Sequence, residues 1–227
     1  MIAKAGRIIK SMTKLHILNE GKSFKPAQVA TIRKAFKRAV KTCKKLIAAD
    51  AIDVVVSHNP AFVMTEIGIG GKTQTSHFVN VTLDAKVNFD PERLSLAMCH
   101  EMHHAMRQRK CGFPQTLFDV VVSEGLADQF EAEINPRKKL TAHKGMTEKV
   151  LLKGLDDLRK QMNTTKYDYY GWFFGAGKTY PKYFGYVLGG MIITAYLNKN
   201  KTKPSKLVTK PTKLFAPYIE VARKSLI

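Results

Sequence analysis

Cysteine is scarce in this chain of 227 residues: Cys43, Cys99 and Cys111 are the whole set, an odd number without CxxC spacing. That argues against a disulfide framework and a four-cysteine zinc site, and it reads as reduced thiols in a cytoplasm. No apolar run approaches the length of a membrane span. The first ten residues carry Lys4, Arg7 and Lys10, which interrupt them before the apolar stretch of a secretory signal can develop. A soluble, cytoplasmic protein is expected. Acidic side chains are also few, 18 against 38 Lys and Arg, giving a formal net charge of +20 that attracts polyanions. The reading heads of nucleic-acid proteins are missing, however: no RNA-recognition signature, no zinc finger, and no aromatic residues interleaved with the basic ones. Most of the cations are Lys, a solvated point charge, and not the Arg fork that reads phosphates and bases. The expected partner chemistry from charge alone is therefore weak, non-specific polyanion binding.

What the chain does have is patterned. From Pro26 to Ala49, Val29, Ile32, Phe36, Ala39, Val40, Cys43, Leu46 and Ile47 recur at helical spacing, with Lys and Arg on the other side. Ile52 to Val56, Ala61 to Ile67 and His77 to Leu83 read as strands, with Gly68, Gly70 and Gly71 in the turn between the last two. Asp90-Pro91 has the cap-then-proline form of a helix start, and Gly112 with Pro114 beyond it the form of a stop. Further helices are expected over Leu117 to Ile134, around Met146 to Met162, and from the aromatic, glycine-rich stretch of Tyr167 to Gly190 on to Leu197. The Lys/Pro-rich Lys199 to Lys213 segment, with little to bury, is the expected site of local flexibility, and a short helix ends the chain. There is no internal repeat.

The chemistry lies in His100-Glu101-Met102-His103-His104. On a helix, residues four apart project within roughly 40° of each other, so His100 and His104 can grip one ion. Glu101 sits on the flank of that pair, where a carboxylate can act as general base. A catalytic zinc site needs a third protein ligand and one open position. Glu124, in Ser123-Glu124-Gly125-Leu126-Ala127-Asp128 on the next helix, is best placed to supply that ligand, with Gly125 allowing close helix approach. Asp128, one turn on, is expected to hold the free ring nitrogen of a histidine ligand. His103, on an adjacent face, is expected to be exposed or to support the ligands, and Cys99 to be a small packed residue.

HExxH on one helix followed by ExxxD on the next resembles the gluzincin branch of zinc metallopeptidases. The metzincin pattern fails, because positions 107 and 110 hold Arg107 and Lys110 where it needs Gly and His. More closely, the chain resembles a bacterial family of predicted zinc-dependent proteases catalogued as a domain of unknown function. The resemblance runs through Gly68 to Leu83, Leu96 to Arg107, Ser123 to Glu131 and Gly185-Tyr186. It implies an α+β, zincin-like fold in one domain: residues 1–112 would hold a helix, a small N-terminal β-sheet and the HExxH helix, and residues 113–227 a mainly helical part with the third ligand. It implies Zn2+ on His100, His104 and Glu124, with Glu101 as base and Asp128 behind the ligands. The implied activity is peptide hydrolysis by a zinc-bound water that Glu101 activates, on a peptide or protein substrate. The alternative is a catalytically silent relative that binds nucleic acid or another polyanion.

Gluzincins add a Tyr or His to steady the oxyanion. Tyr186, in its Gly-Tyr context, is favoured over Tyr183, Tyr180, His77 and His143. The strand with His77 and Val79 is expected to be an edge that pairs with substrate. Gly71-Lys72-Thr73 and Gly177-Lys178-Thr179 resemble the end of a phosphate loop, but the earlier glycine is replaced by Glu66 and Trp172. Both read as turns.

Overall fold

A computed structural model describes residues 12–138 and 146–227. The fold is α+β. Four strands, β1 (Lys14–Leu18), β2 (Asp53–His58), β3 (Ile69–Thr75) and β4 (Phe78–Leu83), form one sheet in the order β1-β2-β4-β3. The helices among the described residues are α1 (Pro26–Ile47), α2 (Pro91–Cys111), α3 (Leu117–Ile134), α4 (Glu148–Gln161), α5 (Tyr169–Phe174), α6 (Phe184–Asn200) and α7 (Tyr218–Lys224).

β1 and β2 are parallel because α1 crosses between them, and β2 and β4 are parallel as well. A tight connection at Ser76-His77 leaves β3 antiparallel to β4 and on the outside of the sheet. The apolar stripe of α1 buries Ile32, Ala35, Ala39, Cys43 and Ile47. These pack with Val54, Val56, Val79 and Val81 of the sheet and with Leu94, Met98, Cys99 and Met102 of α2 in one core. A second core joins α3 to α7. No helix among the described residues is long and apolar enough to cross a membrane.

The helix signals act where the sequence puts them. The Asp90 carboxylate accepts from Glu92 N–H at 2.8 Å, with Pro91 in the first turn of α2. Thr116 and Asp119 satisfy each other's backbone N–H groups at the start of α3. α3 buries residues all round its circumference, and Gly125 is the reason α6 can lie on it. A Cβ there would collide with the backbone of Gly189, so the two helices meet backbone to backbone.

Two expectations are corrected. The strand expected over Ala61–Ile67 is a 3-10 turn at Pro60–Phe62 followed by a single bridge, and two of the three glycines expected in a turn, Gly70 and Gly71, belong to β3. Only Gly68, at φ +65, turns the chain, whereas Gly70 and Gly71 lie where neighbouring atoms leave no room for a Cβ. The Lys199–Lys213 segment is anchored and not loose. Pro204, Ser205, Leu207 and Val208 are buried, Ser205 N–H and Oγ bond the Glu133 carboxylate at 2.8 Å each, and Arg107 donates to Lys210 O at 2.7 Å.

Candidate metal centre

α2 and α3 meet between the two cores, and the chemistry-bearing residues face each other across that contact. His100 Nε2 and His104 Nε2 are 3.0 Å apart, and Glu124 Oε2 lies 3.2 Å from the first and 3.3 Å from the second. Behind them the other ring nitrogens are held. His104 Nδ1 is 2.9 Å from Ser123 Oγ, and His100 Nδ1 is 3.1 Å from Glu131 Oε1 and 3.5 Å from Asp128 Oδ1. A carboxylate only accepts, so Glu131 makes Nδ1 the proton-bearing nitrogen of His100 and leaves a bare lone pair on Nε2. Glu131 is itself fixed by Arg93, whose Nη1 lies 2.9 Å from Oε2.

Lone pairs that converge without a proton between them repel unless a cation joins them. For a tetrahedral zinc with bonds of about 2.0–2.1 Å the ligand-to-ligand edge is about 3.3–3.4 Å, and the three edges here come within a few tenths of that. Two imidazoles and a carboxylate are also the donor types such an ion takes. Electrostatics point the same way. Burial alone would pull His100 down, but its hydrogen bonds to Glu124 and Glu131 and their charges raise its pKa well above the usual histidine value. Burial would likewise raise the Glu124 carboxyl, yet the two histidines hold it low. Without a metal, the pocket attracts a proton in its place. Asp128, Glu131 and His100 form a second carboxylate-rich trio. Since Glu131 is tied to Arg93, we read it as support for His100 and not as another ion site.

Glu101 stands outside this trio, on the flank nearest β3. Its Oε2 accepts from Thr73 Oγ1 at 2.7 Å, and the same hydroxyl lies 2.8 Å from the Glu101 carbonyl oxygen. A Cβ on Gly71 would come within 2.5 Å of Oε1, so the strand can pass over the carboxylate only because residue 71 has no side chain. Glu101 is 7% exposed, buried but reachable.

Of the tyrosines, Tyr186 lies edge-on to Phe173 and Tyr183, at 5.3 and 6.1 Å between ring centroids, and burial first, then the charge of Glu124, pushes its phenol well above the usual value. Tyr169 feels burial and then Glu124 and Glu101, with its pKa likewise raised. Tyr183 and Tyr180 are committed elsewhere. Tyr183 donates to Glu66 Oε2 at 3.1 Å, and Tyr180 donates to Asp157 Oδ2 at 2.9 Å while stacking on Phe184. His77 Nδ1 lies 2.9 Å from Ala51 O, and His143 falls outside the described residues.

The expectation that the strand bearing His77 and Val79 forms the open edge is corrected. β4 is paired on both sides, by β2 and β3, Val79 is fully buried, and His77 belongs to the turn before β4; among the described residues the sheet edge beside Glu101 is β3. His103 is not exposed either. It is fully buried against Phe130, at 5.3 Å between ring centroids, and neither ring nitrogen has a hydrogen-bond partner. Burial, then the neighbouring His104 and Arg107, lowers its pKa well below the usual value, so it stays neutral.

Sequence reasoning missed Thr73, Ser123, Glu131 and Arg93. Glu131 had a signal: it follows Glu124 by seven residues, two turns along the same face of α3. Thr73 had none, since it reaches Glu101 from another element.

Searches of curated proteins and of solved structures return no match to this chain. A family described as "Predicted Zn-dependent protease (DUF2268)" matches residues 32–216. That span contains α2 and α3, which carry His100, His104 and Glu124, together with β3 and α6, and the chain belongs to this family.

Proposed function

We propose that the protein is a zinc metallopeptidase of the gluzincin arrangement, with His100, His104 and Glu124 holding the ion and Glu101 as general base. The observation that carries this is the convergence of three ligand atoms, from His100, His104 and Glu124, beside a carboxylate held separately by Thr73. A zinc ion bound there would supply Lewis acidity, polarising the scissile carbonyl and acidifying a water. The protein's own groups do the rest. Glu101 takes a proton from the attacking water and delivers it to the leaving amine, so that a C–O bond forms, the C–N bond breaks and no proton is lost. Thr73 holds the carboxylate on one oxygen and leaves Oε1, beneath Gly71, for the proton. Tyr186 and Tyr169, whose phenols burial keeps protonated, are the candidate donors for the place where negative charge develops. The open edge of β3 takes an extended peptide by backbone pairing. The buried free thiols Cys43 and Cys99 suit a reducing cytoplasm.

The test combines metal analysis with a peptide-library digest. Wild type should carry about one zinc per chain and cut peptides, and Glu101→Gln should retain the zinc and lose turnover. Undiminished proteolysis by Glu101→Gln, or purified protein that binds no zinc, would refute the proposal.

A further inference from the structure

The open edge of β3 is short, and one end of it is closed. In a strand, backbone groups point alternately to the two sides. Asp84 N–H bonds Gly68 O at 2.9 Å and Met64 N–H bonds Ile69 O at 3.0 Å, so Gly68 faces β4 and Ile69 faces outward, where Met64 has folded back to cover it. Alternation then turns the N–H and C=O of Gly71 and Thr73 to the open edge. These are the two residues that lie on Glu101.

The turn that covers Ile69 also reaches across the cleft. Glu66, within it, accepts from Lys182 Nζ at 2.7 Å and from the Tyr183 hydroxyl at 3.1 Å, and Lys182 lies over the Tyr183 ring at 4.6 Å. Tyr183 caps α6, and its ring centroid is 6.1 Å from that of Tyr186. A continuous series of contacts thus runs from the base along β3 to Glu66, over Lys182 and Tyr183, and on to Tyr186 of α6. At the other end of β3, no hydrogen bond or ion pair among the described residues joins Thr75, Ser76 or His77 to α5 or α6.

We propose that this clasp makes the cleft one-ended, so that the substrate is a peptide terminus and not the interior of a long chain. The inference rests on the metallopeptidase reading and specifies its substrate class. Antiparallel pairing, the more stable mode, points the substrate's C-terminus toward Ile69 and the clasp. Gly71, above the base, is two residues from Ile69, so the leaving fragment is a C-terminal piece of about one to three residues.

The experiment uses one peptide that the zinc-loaded full-length protein cuts, in three forms: with a free C-terminus, with its C-terminus fused to a folded domain, and cyclised head to tail. Products are identified by mass spectrometry for wild type, Glu66→Ala, Lys182→Ala and Glu101→Gln. Wild type should release short C-terminal fragments from the free form and cut the fused and cyclic forms at least about tenfold more slowly, a barrier difference of about 1.4 kcal/mol. Both clasp variants should narrow that ratio while cutting the free form at near the wild-type rate. Equal cutting of all three forms by wild type, short fragments from the N-terminus, or an unchanged ratio in both clasp variants would each overturn the proposal while leaving a Glu101-dependent peptidase standing. Absence of any Glu101-dependent hydrolysis would overturn both.

Discussion

Replacing Thr73 by valine removes one hydroxyl and keeps the shape of the side chain. That hydroxyl is 2.7 Å from Glu101 Oε2 and 2.8 Å from the Glu101 carbonyl oxygen, and its single proton goes to the charged acceptor. A hydrogen bond to a charged group is worth about 1.5–3 kcal/mol. If the bond holds the base in its working geometry, its loss costs about 10- to 100-fold in kcat/KM, at 1.36 kcal/mol per decade. The loss should fall mainly on kcat, since the neighbouring backbone that pairs with substrate is unchanged. Zinc content should not move, because Thr73 touches none of the three ligands. Thr73→Ser keeps the donor and should recover most of the rate. Initial rates on a peptide from the library digest, with metal analysis of each variant, decide the matter. Activity of Thr73→Val within about twofold of wild type, or Thr73→Ser as impaired as the valine variant, would refute a positioning role.

Glu131→Gln keeps a side chain beside His100 Nδ1 but removes its charge, and should weaken zinc binding by about 10- to 100-fold in a chelator competition. An unchanged affinity would mean that Asp128, at 3.5 Å, suffices alone. Gly125→Ala drives a Cβ into the Gly189 backbone, which cannot swing aside as a side chain would. The cost should reach the upper end of about 1–3 kcal/mol, read as a lower urea midpoint. The exposed face of α1 carries Arg33, Lys34, Lys37, Arg38, Lys41, Lys44 and Lys45. Glutamate at 37, 41 and 44 should reduce retention on duplex DNA at low salt and flatten its salt dependence while leaving peptide hydrolysis intact. Loss of hydrolysis together with retention would tie the basic face to the reaction.

Helices follow from bonds between residues three to five apart, and that is why they were legible. Leu117 to Ile134 form α3 end to end, and Asp90-Pro91 starts α2 by the capping that the two residue types dictate. The pairing of His100 with His104 is likewise a property of one helix, and Glu124 followed from the demand for a third ligand on a neighbouring helix. Strand order has no such local origin. Which of two hairpin strands is the edge depends on what else pairs with them, and β2 claimed β4, leaving the glycine-bearing β3 outside over Glu101. Thr73 reaches the base through that arrangement alone, and Arg93 reaches His100 only through Glu131. The amino-acid sequence by itself thus determined the helices and the pairing of His100 with His104, because repeat geometry within a helix carries that information, and it singled out Glu124, which converges with them. Tertiary structure decided which strand borders Glu101, which side chains hold Glu101 and His100, and how Glu66 meets Lys182 and Tyr183, because these are contacts between segments far apart in the chain.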